Sequence, residues 1–183
     1  MEDSLIGLFG GSFNPVHFGH LNLAIYLKET YQLSEVWWIP AHASPFRLHE
    51  PMVSPQHRFK MVELALEGLE DFKVLDLEVC RPPPSYTIDT IRQLQSMYPN
   101  KKFALLCSED VLEYLDSWKE AEELKKRVRI LVGAREKQRD SCPIMQISST
   151  QIRKRLEKGL YCGHLVPSKV LDYISENHLY FVS

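Results

Sequence analysis

Short apolar runs recur along this chain, and each is followed by a longer stretch in which apolar residues return every three or four positions. The runs at residues 5–9, 36–39, 73–77, 103–107 and 129–132 have strand length. The stretches at about 19–31, 55–67, 88–97, 118–126, 150–157 and 168–176 have helical spacing. Alternation of this kind predicts a parallel α/β sheet with helices on both faces. Two boundaries carry local signals. Ser54 before Pro55 is a side-chain cap followed by a proline suited to the first helical turn, and Gly159 stands where a helix begun near Thr150 should stop. No repeat and no linker rich in Gly, Ser or Pro interrupts the pattern, so residues 1–183 read as one domain. Ligands of such sheets bind beyond the C-terminal ends of the strands. The longest irregular stretches are 41–53 and 136–143. The first follows a strand and carries Pro45, Phe46, Arg47 and His49, which makes it a candidate active-site loop.

The first strand runs into GGSFNPVHFGH, residues 10–20. Glycines let a backbone approach a ligand closely, and the start of a helix offers unpaired N–H groups and the positive end of a dipole. Placing His17 and His20 at that turn adds side-chain donors, so the segment predicts a phosphate site. A second site of the same kind is ISSTQIRKRL, residues 147–156. Ser148 and Gln151 have capping-box spacing, which leaves Ser149 and Thr150 at a helix start with Arg153 one turn on. Lys154 and Arg155 read as solvated helix charges, and Arg135, after the last strand, is as well explained by the surface as by a phosphate.

A net charge of -2 gives no overall basic field for polymeric nucleic acid, which favours small phosphorylated partners met by local basic groups. The N-terminus lacks a basic leader pattern, and no apolar stretch approaches the ~18 residues that span a membrane. Cys80, Cys107, Cys142 and Cys162 are widely spaced and form no C-x-x-C pair. They read as reduced thiols in a cytoplasmic protein, without a zinc site. Assembly of identical chains is left open.

Together with PPSYTIDT (residues 83–90) and DSWKEAEEL (residues 116–124), these motifs resemble the HIGH-type nucleotidyltransferases, and within them the bacterial nicotinate-nucleotide adenylyltransferases. The resemblance runs over essentially the whole chain. It implies a Rossmann-like fold and adenylyl transfer from ATP to nicotinate mononucleotide. Gly10, Gly11, Ser12, Phe13, His17, His20, Arg47, Ser149, Thr150 and Arg153 would then meet ATP. His17, His20 and Arg153 would act in the transfer itself. Ser12, Phe13, Tyr86, Thr87, Ile88, Asp110, Trp118 and Lys119 would surround the nicotinate nucleotide. Mg²⁺ is expected to arrive with ATP, because magnesium retains water and phosphate ligands. Rival readings are the nicotinamide-mononucleotide branch, pantetheine-phosphate adenylyltransferase and a nucleotide-binding regulator without turnover.

Three features depart from the family pattern. Phe46-Arg47 stands where a His-Lys pair is usual, Ser108-Glu109-Asp110 replaces Gly-x-Asp, and the segment between Val132 and Ile147 is short. Two helix starts bear on the choice of pyridine. Ser117 and Glu120 have capping-box spacing, which predicts Trp118 in a first turn with a free Lys119 N–H. Thr87 predicts a second start, with the Ile88 and Asp89 N–H groups free. Two such sets of donors suit the carboxylate of a nicotinate ring, with the Trp118 indole stacked on the pyridine.

Overall fold

Strands β1 (Leu5–Gly11), β2 (Glu35–Pro40), β3 (Phe72–Val74), β4 (Lys102–Ser108) and β5 (Arg129–Gly133) form one sheet in the order β3-β2-β1-β4-β5, with every neighbouring pair parallel. The computed structural model describes residues 4–48, 50–133 and 145–181. The chain builds outward from β1 on one side and then crosses to β4 on the other. This opens a crevice at the C-terminal ends of β1 and β4, where adjacent connections leave in opposite directions.

The strands are apolar on both faces because both are covered, and side chains alternate between two cores. Phe9, Trp38, Ala104 and Leu106 join the core beneath α1 (Phe18–Thr30), α2 (Pro55–Leu66), α6 (Ser149–Glu157) and α7 (Ser168–Glu176). Ile6, Leu8, Trp37, Ile39, Leu105 and Cys107 join the core beneath α3 (Thr87–Met97) and α5 (Ala121–Arg127).

Both local boundary signals operate. The Ser54 hydroxyl accepts the His57 N–H at the start of α2. Gly159 (φ +65°) closes α6, with its own N–H bonded to the Leu156 carbonyl and the Leu160 N–H to the Arg155 carbonyl, a Schellman arrangement. Three elements differ from expectation. β3 is an edge strand of three residues, after which the backbone turns and the Cys80 N–H bonds the Asp76 carbonyl. The stretch after β4 forms a short helix, α4 (Glu109–Leu112), and a 3₁₀ turn at Leu115–Ser117. Helix α5 consequently starts at Ala121, three residues later than predicted. Among the described residues no helix is long and apolar enough to cross a membrane. Cys80, Cys107 and Cys162 are free thiols. The stretch 136–143, with Cys142, lies outside the described residues.

Candidate active site

A cleft of ≈ 790 Å³ lies at the C-terminal ends of β1 and β4. Gly10, Gly11, Ser12, Phe13, His17, His20, Arg47, Ser149, Thr150 and Arg153 line it, as do Tyr86, Thr87, Asp110, Trp118 and Lys119. Ile88 is the exception: it is 1% exposed and packs in the core beneath α3. The helix face that it occupies turns toward the sheet, and its N–H is one of the first-turn donors of α3.

After β1 the backbone turns through Phe13 (φ +46°) and a cis Asn14-Pro15 bond, and His17 caps α1. The cap is reciprocal: the His17 Nδ1 accepts the His20 N–H, and the His20 Nδ1 accepts the His17 N–H, each at 3.3 Å. An imidazole that accepts at Nδ1 carries its hydrogen on Nε2 when neutral, so both rings are set as Nε2–H donors. The rings stack with centroids 3.7 Å apart and planes 21° apart. Burial pushes His17 down to about 4, against a smaller opposing effect of its backbone hydrogen bond. Burial, and then the charge of His17, hold His20 well below the usual histidine range. At neutral pH the pair is therefore uncharged, and its stacking is free of like-charge repulsion. Gly19 makes room for it, since a Cβ there would stand 3.1 Å from the His17 Nδ1.

Helix α6 begins beside this turn. The Ser148 hydroxyl accepts the Gln151 N–H at 3.1 Å, as the spacing predicts. The hydroxyl of Ser149 has a second employment, donating to the Pro15 carbonyl at 2.9 Å. Arg153 donates to the Asn14 carbonyl at 2.8 Å and to the Thr150 hydroxyl at 3.3 Å. The Tyr180 hydroxyl donates to the Asn14 side chain at 2.8 Å. Segments more than 130 residues apart in sequence are thus locked together, and two helix N-termini open on one cleft. Lys154 is exposed and Arg155 donates to the Tyr161 carbonyl, in keeping with structural and solvated roles. Arg135 and His49 lie outside the described residues.

At the opposite end the structure corrects the expected helix starts. Ser117 donates its hydroxyl to the Tyr114 carbonyl, and Glu120 takes a left-handed conformation (φ +52°) with its carboxylate held by Arg92 at 3.0 and 2.6 Å. The capping box does not form, and Trp118 ends the 3₁₀ turn instead of opening a helix. Helix α3 starts at Thr87, but the Tyr86 carbonyl takes the Asp89 N–H, which leaves the Thr87 and Ile88 N–H groups as the first-turn donors. Lys119 adds a cation here, with Nζ 3.0 Å from Asp89 and 4.5 Å from the centre of the Tyr86 ring. Ser108 stands at the N-cap position of α4 and lines the cleft; Phe46 and Arg47 line it too, and the Arg47 guanidinium stands 3.8 Å from Glu50.

Sequence reading passed over Glu78 and Arg58. Glu78 lines the cleft, is buried, and accepts the Thr90 hydroxyl at 2.6 Å. Burial pushes its carboxyl up, while the bond from Thr90 and the charge of Arg81 act the other way. Arg58 is 1% exposed. A carboxylate flanked by Leu77 and Val79 marks Glu78, and an arginine on the buried spacing of α2 marks Arg58. Neither signal says what the group binds.

Residues 8–155 match the family model described as cytidylyltransferase-like. A protein of Salinibacter ruber named "Probable nicotinate-nucleotide adenylyltransferase" is 38% identical over an alignment covering 96% of this chain and 97% of that protein. One of the same name from Carboxydothermus hydrogenoformans is 37% identical, with 98% and 100% covered. The solved structure of Plasmodium falciparum nicotinic acid mononucleotide adenylyltransferase complexed with NaAD superimposes with a TM-score of 0.79, covering 97% of both chains at 20% identity. At that identity the likeness speaks for the fold, a parallel α/β sheet of the nucleotidyltransferase type.

Proposed function

This chain belongs to the cytidylyltransferase-like family, and we propose that it transfers the adenylyl group of ATP to nicotinate mononucleotide, giving deamido-NAD and pyrophosphate. The observation that carries the reading is the pair of neutral Nε2–H donors on His17 and His20, set across one turn from Ser149, Thr150 and Arg153. The second ionisation of a phosphate monoester lies near ~6, so the incoming phosphate is already a nucleophile at neutral pH. Its oxygen bonds to the α-phosphorus of ATP as the bond to the bridging oxygen breaks, and pyrophosphate leaves with the electron pair. No proton has to be removed by the protein. The work left to it is to position the reactants and to stabilise charge that shifts onto non-bridging and leaving oxygens. His17 and His20 serve the transferred phosphate, and Thr150 with Arg153 serve the departing pyrophosphate. Mg²⁺ would enter with ATP and supply charge neutralisation at the phosphates, with phosphate oxygens and water as its ligands rather than side chains.

Selection of the pyridine falls to the other end of the cleft. The Thr87 and Ile88 N–H groups and the Lys119 cation favour a ring carboxylate over a neutral carboxamide, whose NH₂ would face another donor. The free thiols among the described residues fit a cytoplasmic enzyme.

The direct test offers ATP with nicotinate mononucleotide, nicotinamide mononucleotide or phosphopantetheine and scores pyrophosphate release. Turnover is expected with the first in the presence of Mg²⁺, without a trapped adenylyl-enzyme. Release of pyrophosphate with phosphopantetheine alone would overturn the substrate assignment. Silence with all three would favour a nucleotide-binding regulator.

A further inference from the structure

Arg58 is a cation almost wholly removed from water, yet the groups around it are not carboxylates. Its Nη1 donates to the carbonyls of Ser12 at 2.8 Å and Ala41 at 2.6 Å, its Nη2 to that of His42 at 2.6 Å, and its Nε to that of Val53 at 3.1 Å. Burying a charge is costly unless it is well hydrogen-bonded, and an apolar residue of similar size would be the cheaper way to fill a core. What an apolar residue lacks is the planar fork, which meets several carbonyls at fixed angles. The four acceptors lie on two separate segments: Ser12 in the turn after β1, and Ala41, His42 and Val53 at the two ends of the β2–α2 loop.

The hydrogen bonds continue past His42. Its N–H donates to the Ser85 hydroxyl at 3.0 Å, the Ser85 N–H donates to the Ala43 carbonyl at 2.9 Å, and the His42 Nδ1 meets the Arg81 carbonyl at 3.0 Å. Ser12 and Ser85 both line the cleft, one beside the histidine pair and one directly before Tyr86. Arg58 itself does not line it.

We infer that Arg58 is the positioning residue that fixes the distance between the two halves of the cleft, the phosphate turn through Ser12 and the Ser85–Tyr86 segment that leads into α3 through His42. The meaning of the two halves as ATP and pyridine-nucleotide sites rests on the proposed function. In-line transfer requires the two reactants to be held in register, and a misplacement of about 1 Å costs on the order of a hundredfold in rate. Either half can still bind its own ligand when the tie between them is loosened.

The test substitutes Arg58→Lys, which keeps the charge and gives up the fork. The expected result is a fall in kcat of about a hundredfold, with the affinities for ATP alone and for nicotinate mononucleotide alone little changed. Amide hydrogen exchange without any ligand should quicken in both residues 10–16 and residues 85–87, while the interiors of β1 and β4 keep their protection. A merely structural arginine would instead lower the melting temperature, leave kcat intact below it, and confine faster exchange to residues 41–58. That outcome overturns the inference. Should Arg58→Lys fail to fold, Ser85→Ala cuts the same path one step further on. Faster exchange at residues 11–13 in that variant supports the tie, and unchanged exchange there overturns it. The exchange experiment needs no turnover, so it decides the role of Arg58 even if wild-type protein releases no pyrophosphate from these substrates.

Discussion

The two ends of the cleft are built by different means. At the phosphate end, His17 and His20 cap each other, Arg153 and Ser149 reach back to the Asn14 and Pro15 carbonyls, and Tyr180 holds the Asn14 side chain. Most of these groups are buried or partly buried, and every polar contact is a specific hydrogen bond. At the pyridine end, Ser85 is held by hydrogen bonds to His42 and Ala43, but backbone without regular structure presents Trp118 and Lys119. Its neighbours are joined by charged pairs that face solvent: Lys119 with Asp89, and Arg92 with Glu120. Buried hydrogen bonds fix geometry before a ligand arrives, whereas exposed ion pairs are weak and exchange readily with water. The end that would stabilise the shifting charge in the proposed reaction is thus rigid in advance, and the Trp118–Lys119 side of the other end rests on softer contacts.

The strongest way to break this comparison is to remove one donor from the rigid end. His20→Ala deletes a preorganised Nε2–H and also the Nδ1 that accepts the His17 N–H. The loss expected in kcat is about 2.7–4 kcal/mol, roughly a hundred- to a thousandfold, with ATP affinity changed far less. Pyrophosphate release and a separate ATP titration measure the two quantities. Activity within threefold of wild type would place the charge-stabilising donor elsewhere.

The same rigidity has a signature in acid. Folding holds His17 near about 4 rather than 6.5, so between those values the unfolded chain takes up a proton that the folded one refuses. Stability therefore falls as pH drops from about 6.5 toward about 4, and the stabilisation is complete above that window. For His17 it amounts to roughly 3 kcal/mol. Glu78 acts with the opposite sign, because burial favours its protonated form in the folded state. Thermal melts across pH 4–6.5 should show a steep decline for the wild type and a flatter one for His17→Asn, whose side chain still caps but does not titrate. Parallel curves would mean that His17 is not held neutral by the fold.

The helix starts at Ser54 and Ser148 were legible in the sequence because their contacts obey a short spacing. Ser54 with His57 and Ser148 with Gln151 lie three apart and form, and the histidines that the sequence set at a helix start, His17 and His20, have the same spacing and cap each other. Ser117 with Glu120 has the same spacing and fails, for a reason found elsewhere in the chain: Arg92 captures the Glu120 carboxylate from a neighbouring helix. Arg58 was illegible for a related cause. Its carbonyl acceptors are backbone groups, which every residue carries, and the Ser12 carbonyl is 46 positions away. Spacing rules report on local competition, and they fall silent where a distant partner wins.

The selectivity of the softer end follows from its donors. If the ring meets the Thr87 and Ile88 N–H groups as proposed, nicotinamide mononucleotide would set an NH₂ against them, leaving donors unpaired at about 1–3 kcal/mol, or roughly ten- to a hundredfold in kcat/KM. Trp118→Ala should abolish pyridine-nucleotide binding while ATP still titrates. Equal turnover of acid and amide would remove the carboxylate argument and leave the phosphate chemistry standing.

The smallest effect belongs to Arg92. It grips Glu120 through two nitrogens while standing 3.9 Å from Asp89, which in turn pairs with Lys119. All four groups are at least a third exposed on their side chains, so water screens them and the net contribution of each pair is small. What Arg92 does hold is the carboxylate of Glu120 at its left-handed turn, directly after Trp118 and Lys119, which line the cleft. Arg92→Ala should therefore leave the melting temperature and the ATP titration unchanged and raise KM for nicotinate mononucleotide by no more than about fivefold, an increase reproduced in wild type by added salt. A loss as large as that of His20→Ala would mean that the pyridine end is as rigidly built as the phosphate end. No response to salt or to the substitution would mean that Trp118 and Lys119 are placed by packing against the core alone.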